Sequence, residues 1–177
     1  MSGIGMPVFL DDVEQIEIYQ GPQSYAYGHN AMAGIVNIKT LDPSIEQYNK
    51  IKTTFGNHNK MNISNYNSLG DLFFKNLYIN SFIQYNIEDG YIYNDYLQDY
   101  TNNKNELSAK IKLLYKKPNF LQKLSLIHAN LNNGYDAWSP NNNGEISYSN
   151  EPGKDSQELY AGSLKSKISI GNWTLLH

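Results

Sequence analysis

The chain has no cysteine and no arginine. Without thiols it can hold no disulfide scaffold, no cysteine-based zinc site and no thiol nucleophile. All 14 basic residues are lysine and 24 residues are asparagine, a bias that reads as codon usage rather than as function. No stretch approaches the ~18 apolar residues that a membrane helix needs. Barrel strands alternate and never build such a run, so that absence leaves a membrane barrel open. The N-terminus has no charged region followed by a long apolar one, so no signal peptide is expected there. The net charge of −3 is spread without blocks and leaves no nucleic-acid footprint. What the chain does have is aromatics: 15 Tyr, 6 Phe and 2 Trp, a content that argues against disorder. Its 177 residues suffice for one domain with a core.

Helical periodicity is nearly absent, and period-two alternation recurs from about residue 48 onward. Leu107, Ala109, Ile111, Leu113 and Tyr115 fall on one face, against Glu106, Ser108, Lys110 and Lys112 on the other. Between Asn76 and Asn86 the odd positions are Leu77, Ile79, Ser81, Ile83 and Tyr85, while the even ones are mostly Asn and Gln. Near the end, Tyr160, Leu164, Ile168 and Ile170 oppose Ser163, Lys165, Lys167 and Ser169. Ile51/Thr53/Phe55 and Met61/Ile63 follow the same rule, and Leu121–Asn132 is a strand with a less regular pattern. Such strands exceed the ~5–6 residues usual in soluble sheets and meet the ~9–11 needed to cross a bilayer. The connections alternate as well. Long polar segments at Glu88–Asn103 and Asn133–Gln157 are interleaved with tight turns near Lys117–Asn119 and Gly171-Asn172. Long loops at one end and short turns at the other are the rhythm of an outer-membrane barrel. The connection at Asn57–Asn59 is short where a long one would be allowed.

Residues 1–45 read differently. Val13, Ile16 and Ile18 suggest a short strand, Gly21-Pro22 a break, Gln23–Tyr27 a helical turn ending at Gly28, and Ala33–Lys39 a compact apolar strand. This αβ fragment is too short to bury a core of its own. From Asp12 to Thr40 it resembles the final part of the plug of a TonB-dependent outer-membrane receptor. The family's pattern there is a Val-Glu-x-Ile-Glu strand, Arg-Gly-Pro, Tyr-Gly, Asn-Ala-x-x-Gly, and an apolar strand carrying Asn-Ile. This sequence supplies Val13, Glu14, Ile16, Glu17, Gly21, Pro22, Tyr27, Gly28, Asn30, Ala31, Gly34, Val36, Asn37 and Ile38. Glycines at 21, 28 and 34 suit tight turns and close backbone approach. Gln20 stands where the family usually has Arg, and a neutral amide cannot supply the plug–barrel ion pair that the resemblance implies. His29 replaces another frequently basic or polar position.

The resemblance continues through Glu88–Tyr93, Asn133–Trp138, and Pro152–Glu158 followed by Ala161–Leu164, which are similar to the upper ends of early barrel strands. It implies a mainly β fold: the end of a small α+β plug domain over residues 1–45, then a partial antiparallel transmembrane β-barrel over residues 46–177. About seven strands are expected, against the roughly 22 of a complete transporter of this class. The family's signal peptide, TonB box, first plug half, most of the barrel and final aromatic strand have no counterpart here, so a fragment is expected. The implied function is import of a scarce nutrient across the bacterial outer membrane. A ferric siderophore is the leading cargo, with cobalamin, nickel or a glycan as others. The implied partners are TonB, outer-membrane lipid and that small molecule, with no cofactor and no nucleic acid.

Other readings have bland counterparts. The four histidines (His29, His58, His128, His177) lack ligand spacing and read as ordinary polar positions, not a metal site. Asp11-Asp12 and Glu88-Asp89 sit at strand ends, where a turn or solvated charge outweighs acid–base catalysis. Gly3-Ile-Gly5 lacks the third glycine of a nucleotide loop. No nucleophile, base and metal converge, so an enzyme is not expected. Tyr91, Tyr93, Tyr96, Tyr100, Tyr135 and Trp138 admit two readings. Aromatics near barrel rims form interfacial girdles; on outer loops, rigid rings with polar tips contact ligand. A soluble or surface-attached β-rich binding module or adhesin competes with the receptor. The faces discriminate, because a soluble sandwich hides its apolar face and a barrel shows it to lipid.

Overall fold

The computed structural model describes residues 11–177 apart from 24, 26, 27, 29, 30, 72, 73, 137–140, 142, 172 and 177, and without the side chains of 136 and 152. By chain contacts it separates into two units, one running to Asp42 and one from Pro43 onward.

In the first unit the alternating segment forms β1 (Val13–Gln20) and the apolar segment forms β2 (Gly34–Thr40). They pair antiparallel from Gln20↔Gly34 to Val13↔Thr40, with a register shift between Val13 and Gln15. The Leu41 amide then donates to the Asp12 carbonyl (2.8 Å) and closes the base of the hairpin. Asp11 and Asp12 form a turn before β1, one of the two readings expected of them, and Asp12 is buried in it rather than solvated. The expected helical turn at Gln23–Tyr27 falls on residues 24, 26 and 27, which lie outside the described residues.

The second unit is a seven-stranded antiparallel sheet. Its members in spatial order are β3 (Gln47–Phe55), β4 (Met61–Gly70), β5 (Leu77–Glu88), β8 (Lys104–Lys117), β9 (Phe120–Asp136), β11 (Pro152–Ile170) and β12 (Trp173–Leu176). Each strand pairs with its neighbours in sequence, interrupted only by β6 (Ile92–Asn94), β7 (Asp99–Thr101) and β10 (Ile146–Ser147). Those three make a separate small sheet inside the two long connections, with β6 between β7 and β10. The connections 56–60, 89–103 and 137–151 lie at one end of the large sheet, and 71–76, 118–119 and 171–172 at the other. At the short-turn end, main-chain bonds run from Lys116 to Asn76 (2.9 Å) and from Ser169 to Asn119 (2.9 Å).

The expected loop Asn133–Gln157 is shorter than the sequence suggests. Asn133 to Asp136 remain in β9, paired with Asp155 back to Pro152 in β11, so the connection is 137–151. Asn, Gly and Asp are turn formers locally, but a partner strand that accepts their backbone bonds overrides that preference. β9 and β11 thereby reach 17 and 19 residues, more than the ~9–11 that a bilayer requires.

Register sorts the side chains into two faces. On one, Ser64, Gln84, Ser108 and Ala129 form a row, followed by Tyr66, Phe82, Lys110 and Ile127, then Ser68, Asn80, Lys112 and Ser125. Ser64, Tyr66, Ser68, Asn80, Phe82, Ser108, Lys110, Lys112 and Ala129 are all buried. The Asn80 amide donates to the Tyr66 hydroxyl (2.8 Å), and the Lys110 ammonium lies 5.9 Å from the Phe82 ring centre. On the other face, Ile83–Ala109–His128–Tyr160, Ile111–Leu126–Gly162 and Leu113–Leu124–Leu164 lie side by side. Ile83, Leu107, Ile111, Leu126 and Leu164 are exposed there. The polar face is the buried one, and the apolar face is outside. A soluble sandwich has the opposite arrangement, whereas a transmembrane barrel is polar within and apolar on its lipid face.

Candidate functional site

The motif of the first unit builds an ordered hairpin. Val13 opens β1; Glu14 forms an ion pair with Lys39 (3.1 Å); Ile16 is exposed and lies opposite Ile38. Glu17 lies opposite Asn37, whose amide donates to its carboxylate (2.8 Å), as does the Tyr19 hydroxyl (3.0 Å). Gly21 (φ 84°) turns the chain out of β1 into Pro22, and Gly28 (φ 90°) accepts from the Ala31 amide (3.1 Å). Ala31 is buried and its carbonyl accepts from the Gln23 amide (2.8 Å). Gly34 (φ 150°) admits no larger residue: a Cβ there would lie 2.6 Å from the Tyr19 carbonyl oxygen. Tyr27 and Asn30 lie outside the described residues.

The Glu17 carboxyl is held below the ordinary glutamate value, first by the Asn37 amide, then by the Tyr19 hydroxyl, with Lys39 adding attraction. A depressed value means the carboxylate favours the folded hairpin above the ordinary value of 4.5, and that contribution disappears as pH falls through the lowered one. Asn37→Ala is expected to move the Glu17 midpoint upward in an NMR titration of its side-chain carboxyl. An unchanged midpoint would assign the shift elsewhere.

At the long-loop end, the connections 56–60 and 89–103 flank an open polar cavity of about 610 Å³. It is lined by His58, Asn59, Asp89, Gly90, Asp99, Tyr100 and Asn103. His58 (φ 57°) and Asn59 (φ 52°) adopt left-handed backbone in the β3–β4 turn, a conformation that Asn and His tolerate better than most residues. Asn59 donates to the Asp89 carboxylate (2.6 Å), and the Asp89 amide donates to the His58 carbonyl (2.9 Å). The Asp99 carboxylate accepts from the Tyr100 amide (2.8 Å). Adjoining Asp89 in sequence, Glu88 lies between Lys60 (3.5 Å) and Lys104 (3.6 Å).

Of the aromatics singled out in the sequence, Tyr100 alone among the five described ones lines this cavity. Its ring packs edge-on against Tyr93 (5.3 Å), whose hydroxyl donates to Gln98 (3.1 Å). Tyr91 is exposed and tilts against the His58 imidazole (6.2 Å). Tyr96 is exposed in the β6–β7 turn; Tyr135, at the end of β9, lays its ring over Gly153. Trp138 lies outside the described residues. No signal in the sequence marks His58, Asn59, Asp89, Asp99 and Asn103 as a group, since two separate connections supply them. A larger apolar hollow of about 710 Å³ opens on the exposed face, where Ser81, Ala109 and Gly162 sit among Ile83, Ile111, Leu126, His128 and Tyr160. It is a gap between side chains of unequal size, and its walls place few polar groups. The polar cavity differs in carrying convergent carboxylates and amides beside an aromatic wall, groups that could orient a polar molecule.

An antiparallel meander of long strands, polar on its buried face and connected alternately by long and short segments, is similar to part of the barrel of a TonB-dependent receptor. No family model matches the chain. The crystal structure of the ferric yersiniabactin uptake receptor FyuA from Yersinia pestis matches it with a TM-score of 0.79 at 19% sequence identity. The match covers 93% of this chain and 27% of that one, so the chain spans about a quarter of that receptor's length. The likeness is one of fold.

Proposed function

We propose that this chain is part of a TonB-dependent outer-membrane receptor that imports a scarce nutrient, with a ferric siderophore as cargo. Residues 1–45 belong to its plug and residues 46–177 to its first wall strands. The observation that carries this reading is the inverted sheet: Ser108, Lys110 and Lys112 are buried while Ile111 and Leu126 are exposed. That pattern suits a wall between lipid and a wet lumen. The match to a ferric yersiniabactin receptor supports the cargo class. The polar cavity at the long-loop end and the tyrosines around it supply rings for stacking and acceptors for orientation. Binding outside is coupled to release inside when TonB acts on the plug, a coupling free energy delivered at a second site.

The test is transport by the receptor that carries this segment, expressed in cells lacking their own siderophore receptors. Radiolabelled ferric siderophore should bind with or without TonB, and should accumulate inside only with TonB. The receptor should also migrate as a heat-modifiable band after membrane extraction. Recovery as a soluble monomer, or accumulation independent of TonB, would overturn the proposal.

A further inference from the structure

We propose that Asn94 latches the two long connections into one cooperative unit, so that walls of the polar cavity are positioned by residues 145–149, which do not line it. Asn94 is fully buried, although it lies on a three-residue strand in a connection. Its side-chain oxygen accepts from the Tyr96 and Leu97 amides (both 3.0 Å) and shapes the turn between β6 and β7. Its side-chain nitrogen donates to the Ser149 carbonyl (2.9 Å), 55 residues away in the other connection. One amide therefore uses its acceptor on its own hairpin and its donor on the distant loop.

The rest of the joint is slight. β10 has two residues, paired in parallel with β6 at Ile146↔Tyr93 and Ser147↔Asn94. The Tyr93 amide donates to Glu145 (3.1 Å) and the Asp95 amide to Ser147 (2.8 Å). Asn143 caps the far side, its oxygen accepting from the Glu145 and Ile146 amides (3.1 and 2.8 Å). So short a strand is marginal without added support. Ser147 and Ser149 are nonetheless buried, which places the joint away from water, where a lost hydrogen bond is costly. The hairpin held by the latch carries Asp99 and Tyr100, two walls of the cavity. Displacement of residues 145–149 would therefore reach the cavity through Asn94. This holds whatever the cargo.

Hydrogen exchange read by mass spectrometry on the complete receptor tests it, using two changes at one atom pair. Asn94→Asp keeps the acceptor but replaces the donor with a second oxygen facing the Ser149 carbonyl. Exchange at 145–149 should accelerate by roughly ten- to a hundredfold while 96–98 stay protected. Asn94→Ala removes both halves, and 92–101 and 145–149 should accelerate together. From the other side, Asn143→Ala should accelerate 93–97 as well as 145–147, since coupling is reciprocal. Heat-modifiable migration of each variant checks that the barrel has assembled. The proposal fails if Asn94→Asp leaves 145–149 unchanged, or if Asn143→Ala loosens only its own connection.

Discussion

For a barrel wall of the kind proposed, Leu126→Lys should cost about 2–4 kcal/mol, that of a cation on the lipid face near the middle of a barrel. Leu126 is exposed and flanked by Ile111 and Gly162 in register, part of the apolar surface that no other described strand covers. Its neighbour Ser125 points to the opposite face, across from Lys112. Ser125→Asp should cost clearly less than Leu126→Lys, because it places its charge on the polar face opposite a cation that can pair with it. Denaturant unfolding of the receptor in bilayers measures both. Adjacent residues with opposite outcomes are the signature of a two-faced wall. Tolerance of both charges would mean that the apolar face does not meet lipid, and the outer-membrane reading would fall with it.

Gly90→Ala is the second large effect. A Cβ at Gly90 would stand 2.0 Å from the Thr101 carbonyl oxygen, 2.4 Å from its carbon and 2.7 Å from its nitrogen. All three are main-chain atoms of β7, so no rotamer change relieves the clash, and the entry to β6 must move away from β7. The local cost should reach the upper part of the ~1–3 kcal/mol of overpacking. Exchange of 92–101 should accelerate, and affinity for the proposed ligand should fall because Gly90, Asp99 and Tyr100 share the cavity. Gly153→Ala is the contrasting case. There the three atoms nearest a Cβ, from 2.3 Å, all belong to the Tyr135 ring, and that exposed side chain can swing aside. Its effect should be clearly smaller in the same exchange measurement.

Much of the fold was legible because period two is a local property. The alternation at Leu107–Tyr115 and Leu77–Tyr85 is written in consecutive residues, and both segments are strands, β8 and β5. The irregular stretch Leu121–Asn132 also lies within one strand, β9, where pairing on both sides compensates for a weaker pattern. Loop extents were less legible. Asn133–Asp136 look like turn residues in isolation and are held extended only by β11. The small sheet in the outer connections had no signal, since β10 is too short to show periodicity. The site was least legible of all: its tyrosines stand out by type, but His58, Asp89 and Asp99 become neighbours only after two connections converge.

By itself the sequence determined that the chain is a series of alternating strands with long and short connections, preceded by a hairpin motif resembling the end of a receptor plug. It could not determine which face of the sheet is inside. Alternation is unchanged when the two faces are exchanged, so Ile111 and Lys110 have equal claims until the whole sheet is assembled. The tertiary structure decided for Lys110, burying the polar row and exposing the apolar one. It alone also joined Asn94 to Ser149, because a side-chain bond across 55 residues leaves no periodic trace in the chain.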